Sequence, residues 1–333
     1  MKKFQDCFCI FFILSLIIVL KPDKCMAQKA SIDNGYYITY PDKLMARVYL
    51  SQKFAPVTIS SDNNQDLNYK TNSKLNLGIG GTYRAITLNL SYGFKFLNKD
   101  KGKGDTKGLD FQFHLYPQKW AIDFLAGFIK GYYLDPKDNN GLHLVNYYQR
   151  PDFQRNLIGV SIFRVPNTGR FSYRAALTQN EWQTKSAGSL LYGGEAYYGV
   201  IKGDSALVPE LVSNNFPQAG IDRINFFSIG PGIGYAYTLV IDKNFFITAS
   251  AIGSLDVNFS TEERISDKKK AVSITPGGVY KAAIGYNSAS WSISANLTGN
   301  ALYAGSESST KEYFLPTGNI RLVLAKKFEL RKD

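Results

Sequence analysis

"ITLNLSYGFKF", residues 86–96, alternates without a miss. Ile86, Leu88, Leu90, Tyr92, Phe94 and Phe96 occupy one parity; Thr87, Asn89, Ser91, Gly93 and Lys95 occupy the other. Successive side chains of a pleated strand point to opposite faces, so this strand has one apolar and one polar face. Two architectures produce that pattern. A soluble sheet lays its apolar face on a core, whereas a membrane barrel turns it to lipid and keeps water on the other side.

The same alternation recurs along the chain. It is read at 44–51, 75–84, 109–116, 120–133, 156–165, 171–179, 189–200, 224–241, 245–259, 273–287, 291–303 and 319–330. Tight links (84–85, 117–119, 166–169, 242–244, 288–290) alternate with long polar ones (52–74, 98–108, 134–155, 201–222, 260–272, 304–318). Outer-membrane barrels sort their connections in this way, with short turns at one end and long loops at the other. Strands of this length also suit tilted membrane spans better than the usual soluble strand. The alternation of links fails once, across 171–222. Either a strand there is not part of the wall, or 201–222 holds an inserted plug or a helical turn.

Charge segregates by parity. Arg47, Arg84, Lys95, Asp110, Asp123, Arg174, Glu195, Asp256, Lys281 and Arg321 all fall on the polar parity, and so does His114. A charge facing mid-bilayer lipid costs about 2–4 kcal/mol, which would enforce this sorting. Ser292, Ser294, Asn296, Thr298 and Asn300 form an unbroken polar ladder suited to a lumen. Trp120, Tyr132, Tyr133, Trp291 and Tyr303 lie at strand ends, where an interfacial girdle would fall. The expected fold is therefore all-β: an antiparallel up-and-down transmembrane β-barrel of about twelve strands, with ten and fourteen as the alternatives.

The N-terminus supports export. Residues 1–27 have a basic start (Lys2, Lys3), an apolar run from Cys7 to Leu20 and a small residue, Ala27, before the expected cleavage at Gln28. The 14-residue run is short of the ~20 needed for a spanning helix. The expected organisation is a removed signal peptide at 1–27, an N-terminal periplasmic segment at 28–43 and the barrel at 44–330. Cys7, Cys9 and Cys25 are the only cysteines, so the mature chain offers no disulfide, zinc-thiolate site or cysteine nucleophile. The chain has 22 Tyr, 22 Phe and 29 Gly against 3 Met, a strand-rich composition. Its net charge of +12 falls to about +10 once the signal's four lysines and two aspartates are removed. In an exported protein that balance points to membrane surfaces or anionic solutes rather than nucleic acid.

Several stretches resemble a family of exported proteins of Gram-negative bacteria, domain of unknown function 4421. They are "YYITYPDKLMARVYLSQKF", "KGLDFQFHLY", "GFIKGYY", "FSYRAALTQNEWQTKSAGSLLYGG", "GDSALVP" and "SIGPGIGYAYTLVIDKNFFIT". The resemblance implies a barrel-like outer-membrane protein and supplies no mechanism.

Chemistry-bearing motifs are sparse. The two histidines are His114, on the polar parity near Asp110, and His143, in a loop. A lumen histidine in a hydrogen-bond network is the simpler reading of His114, so the chain is expected not to be an enzyme; lipid hydrolysis is the minor alternative. "DPKDNNG" (135–141) lacks the terminal Glu of a calcium loop. "GIGG" (78–81) and "GPGIG" (230–234) lie within strands, as bulge or lumen-packing glycines do, and no cofactor is expected. Lys185, among the small residues of "QTKSAGS", is a candidate rim contact for an anion or lipid headgroup. Two function classes follow. One is a narrow pore whose lumen cations favour small anions. The other is a structural or partner-binding barrel with a filled lumen. Outer-membrane lipid is the expected surround in both.

Overall fold

The computed structural model describes residues 32–83, 86–94, 102–138 and 145–329. The expected signal peptide, Arg84, Lys95 and His143 lie outside them. The main sheet has 16 strands, all paired antiparallel, and twelve of these form a wall in chain order. They are β1 (Lys43–Phe54), β2 (Leu75–Tyr83), β3 (Ile86–Tyr92), β4 (Lys107–Leu115), β5 (Trp120–Leu134) and β6 (Tyr148–Arg164). The remaining six are β7 (Ala187–Lys202), β8 (Ile221–Ile241), β9 (Phe245–Arg264), β10 (Lys268–Asn287), β11 (Trp291–Ala301) and β12 (Thr317–Glu329).

Every wall strand except β3 and β4 is paired with both of its neighbours in sequence, and the last closes on the first: β12 runs antiparallel to β1 from Gly318↔Phe54 to Glu329↔Lys43. One seam interrupts the ring. β3 and β4 lie side by side with no ladder between them among the described residues. Among the described residues the fold is thus an up-and-down antiparallel barrel of twelve wall strands.

Its burial pattern is inside out. On β9, Thr248, Ser250, Ser254, Asp256, Asn258 and Ser260 are buried, while Phe245, Ile247, Leu255, Val257 and Phe259 are exposed. From Phe227 to the end of β8 the outward positions are Phe227, Ile229, Pro231, Ile233, Tyr235, Tyr237, Leu239 and Ile241, without a charge among them. Such a face would drive association in water; in a bilayer it is the favoured one. From Phe245 to Phe259 the apolar band of β9 rises about 33 Å at a 45° tilt, close to the hydrocarbon thickness. The tight turn joining β8 to β9 places Asp242 and Lys243 in left-handed backbone, φ 48° and 65°, as close hairpins require.

The segment expected as a strand at 171–179 is instead inside the barrel. Tyr173–Leu177 is a short helix, α1, capped by Ser172, whose hydroxyl accepts the Ala175 N–H. The adjacent alanines, Ala175 and Ala176, interrupt the strand period, and a hydroxyl before "YRAAL" favours a helical start. Without that stretch the candidate segments reduce to the twelve wall strands. The failed alternation of links is explained by the 165–186 insertion, which sits at the short-turn end. The long link 201–222 holds a 3-10 turn, Glu210–Asn215. The link at 52–74 is not plain loop: Val57–Ser60 pairs with Asp66–Lys70. The opening strand ends at Tyr92 rather than at 96.

Candidate functional site: the filled lumen

The inward faces meet in the barrel's interior and link opposite walls. Asp123 on β5 sits at the centre of one network. Its Oδ1 lies 2.6 Å from His114 Nδ1 and accepts from the Tyr116 hydroxyl at 2.7 Å. Its Oδ2 accepts from Lys281, which reaches across from β10 and also donates to Tyr116 Oη at 3.0 Å. An ionised Asp123 can only accept, so the proton of the His114 pair sits on Nδ1. The Lys281 ammonium lies 5.0 Å from the ring centroids of both Tyr116 and Tyr173, the latter on α1. A buried ion pair needs its remaining bonding capacity satisfied, and here both partners are surrounded by donors, acceptors and ring faces.

The interior arginines hold backbone. Arg47 on β1 donates to the Thr82 hydroxyl and, at 3.0 Å, to the Thr178 carbonyl of the insertion. Arg155 on β6 reaches the carbonyls of Pro56, Pro316 and Leu315 at 3.2, 2.9 and 3.0 Å. Arg321 on β12 donates to Gln112 Oε1 on β4 at 3.3 Å and lies over the Tyr49 ring. That ring in turn covers Gly78 on β2, where a Cβ would run into it. "GIGG" is therefore lumen packing, not an anion loop.

At the short-turn end the insertion forms a plug. Tyr37–Thr39 pairs with Glu181–Gln183, extending a small three-stranded sheet with Ile32–Asp33. Glu181 is buried, accepts from Ser172 and pairs with Arg174. Burial pushes its carboxyl above the ordinary range, against the pull of Arg174. Asn287 at the end of β10 donates to the Glu181 carbonyl at 2.8 Å, and Gln179 donates to Ser294 on β11 at 2.9 Å. Tyr173 hydrogen bonds Ser250 on β9 at 2.9 Å. The plug is thus tied to β1, β9, β10 and β11.

At the long-loop end an apolar core closes the barrel. Tyr69 stacks on Phe153 with ring centroids 4.3 Å apart, and Tyr132 packs against Phe153 at 5.0 Å with its ring inclined. Leu207, Val208, Val212 and Phe216 of the β7–β8 loop and Leu302, Tyr313 and Leu315 of the β11–β12 loop join them. Each such side chain contributes about 1.5–3 kcal/mol on burial. Cavities near the two ends, beside Arg155 and beside Tyr173, measure about 10 and 20 Å³, room for little more than a water each.

Of the charges expected on the inner face, Arg47, Asp123, Glu195, Asp256, Lys281 and Arg321 occupy inward positions, with His114 beside Asp123. Arg174 does not lie on a wall strand; it stands on α1 because its segment is the plug. Asp110 lies on β4 opposite Gly127. Lys185 is exposed at the short-turn end, its ammonium 5.5 Å from the Tyr36 ring centroid. Of the expected girdle, Trp120 and Trp291 are exposed at the short-turn end. Tyr132 and Tyr133 are instead buried, because β5 extends into the loop-end core. Sequence reading missed Arg155, Tyr116, Lys327 and the partners of Glu195 and Asp256. Lys327 falls on the polar parity of its strand and was findable by the same rule; Arg155 shares its parity with Phe153, Leu157 and Phe163 and was not.

The chain is similar in fold to outer-membrane proteins of known structure, at low identity. The outer membrane protease OmpT from Escherichia coli matches 90% of this chain and 100% of its own at 10% identity, TM-score 0.36. The Pseudomonas putida toluene transporter TodX matches 87% and 90% at 6% identity, TM-score 0.24. The attachment invasion locus protein Ail of Yersinia pestis matches 85% and 98% at 8% identity, TM-score 0.21. No curated protein matches the sequence at a significant level. The family profile of the domain of unknown function DUF4421 matches residues 31–328, nearly all of the described barrel. With its twelve-strand wall and filled lumen, the chain belongs to the DUF4421 family.

Proposed function

We propose that this chain is an outer-membrane barrel with a closed lumen, a structural or partner-binding element of that membrane rather than a pore. The observation that carries the reading is the occupation of the lumen cations. A conducting anion path needs them to face water, yet Lys281 is engaged by Asp123 and two tyrosine rings, and Arg47 and Arg155 hold carbonyls of the segments that close the ends. The apolar exterior, free of charge along β8 from Phe227 to Ile241, supports residence in a bilayer, and the export signal expected at 1–27 agrees with the outer membrane.

Planar-bilayer recording of the refolded chain tests this, with folding verified by heat-modifiable gel migration. The expected result is folded protein that inserts and gives no steady current. A stable anion-selective conductance from the folded species would overturn the proposal.

A further inference from the structure

We propose that the inner wall of β7, β9 and β10 holds one hard divalent cation, of the calcium type, bound by Glu195, Ser254 and Asp256 over Gly277. The four positions adjoin by register: Glu195 comes from β7, Ser254 and Asp256 are successive inward residues of β9, and Ser254 stands opposite Gly277 on β10. Both carboxylates are buried, Glu195 at 4% and Asp256 at 2% exposure. Neither forms an ion pair with a lysine or arginine among the described residues. Two buried acids without a cation repel one another and lose their hydration, a combination that a bound cation or a shared proton relieves.

Gly277 keeps any side chain out of the place where these oxygens meet. A Cβ there would stand 2.8 Å from Asp256 Oδ2 and 2.9 Å from Glu195 Oε1, and would collide with Ser254 Oγ. Three oxygens therefore converge on the volume that glycine leaves open. Ser254 donates to Glu195 Oε1 at 2.6 Å, and Ser228 on β8 donates to Asp256 Oδ2 at 3.2 Å.

A second observation points to a ligand. Thr275, fully buried and directly opposite Asp256 in the β9–β10 register, has a hydroxyl without a hydrogen-bond partner, and Asp256 Oδ1 has none either. Buried polar atoms are normally satisfied, so oxygen lone pairs left over beside two unpaired acids mark a place for a positive guest. The donors are all oxygen, which selects a hard ion over zinc or copper. Two carboxylates match a divalent charge. Side chains on three strands with irregular spacing suit the flexible coordination of calcium better than the strict octahedron of magnesium.

The test refolds the full chain in detergent with millimolar calcium chloride, dialyses away free metal and counts bound calcium by elemental mass spectrometry. About one calcium per chain is expected, with a higher thermal unfolding midpoint than protein refolded in chelator. Glu195→Gln and Asp256→Asn each remove a carboxylate without changing shape, and each is expected to lower retained calcium at least about tenfold. Glu263→Gln, at the loop end of β9 where Glu263 pairs with Lys268, is expected to leave it unchanged. Gel migration identifies the folded fraction of each variant. Wild-type protein that folds yet retains no calcium overturns the proposal in favour of a shared proton. So does retention that persists in both folded variants.

Discussion

Lys281 on β10 and Asp123 on β5 meet across the barrel as an ion pair whose side chains are 5% and 14% exposed. The pair ties two distant wall strands to each other and, through Tyr116 and Tyr173, to the plug. Removing one partner strands the other charge away from water. Lys281→Met is expected to cost about 3–5 kcal/mol, and Asp123→Asn to cost similarly. The double change Lys281→Met with Asp123→Leu is expected to recover much of that, because no uncompensated charge remains. Urea unfolding in lipid vesicles, followed by tryptophan fluorescence, measures all three. A double variant as unstable as the sum of the singles would show that the network does not depend on the pair.

The exterior makes a separate prediction. Ala251 faces outward near the middle of the β9 apolar band, flanked by Ala249 and Gly253. Ala251→Lys is expected to cost about 2–4 kcal/mol in vesicles, the penalty of a lysine at the bilayer midplane. Ala251 is small, so little packing is lost and the effect reads the solvent outside the wall. If the variant unfolds at the same urea concentration as wild type in vesicles, this face does not meet lipid.

The wall was legible in the sequence because its strands keep a two-residue period through their middles. Along "FFITASAIGSLDVNF" the inward and outward residues fall where the alternation puts them, and from Thr87 to Leu90 the opening strand follows it too. The plug was not legible as a plug. "FSYRAALTQ" alternates well enough to mimic a strand, and only the Ser172 cap and the paired alanines betray a helix that is stabilised by the surrounding wall. The candidate cation site was half visible. Glu195 and Asp256 could be assigned to the inner face, but their meeting over Gly277 depends on the shear of β7 against β9, which side-chain parity does not encode.

The cap of α1 gives a third test. Ser172 accepts the Ala175 N–H and donates to the buried Glu181 carboxylate. Losing a serine cap costs about 1 kcal/mol, and leaving a buried acceptor short of a donor adds about 1–3 kcal/mol. Ser172→Ala is therefore expected to loosen the plug while leaving the wall intact. Trypsin should cut at Arg170 or Arg174 faster in the variant than in wild type, with Ser172→Thr restoring resistance. Equal cutting rates would mean that the plug is held by its ties to the wall alone.

A pH effect is expected at the opposite end, where Asp62 joins two loops. Its carboxylate accepts from the Ser309 hydroxyl at 2.8 Å, and from the Thr310 hydroxyl and backbone N–H at 2.9 and 3.1 Å. These bonds, the Ser309 one foremost, hold its pKa below the ordinary aspartate value. A carboxyl depressed in the folded state stabilises that state at all pH above the unfolded value, about 3.9, and loses this contribution as pH falls through the folded value. Hydrogen exchange of the 305–312 segment, corrected for intrinsic rates, should show constant protection from neutral pH down to that range and a decline below it. Asp62→Asn should lower protection at neutral pH and abolish the acid step, since an amide oxygen accepts more weakly and does not titrate. An acid step that survives in Asp62→Asn would assign the transition to a group other than Asp62.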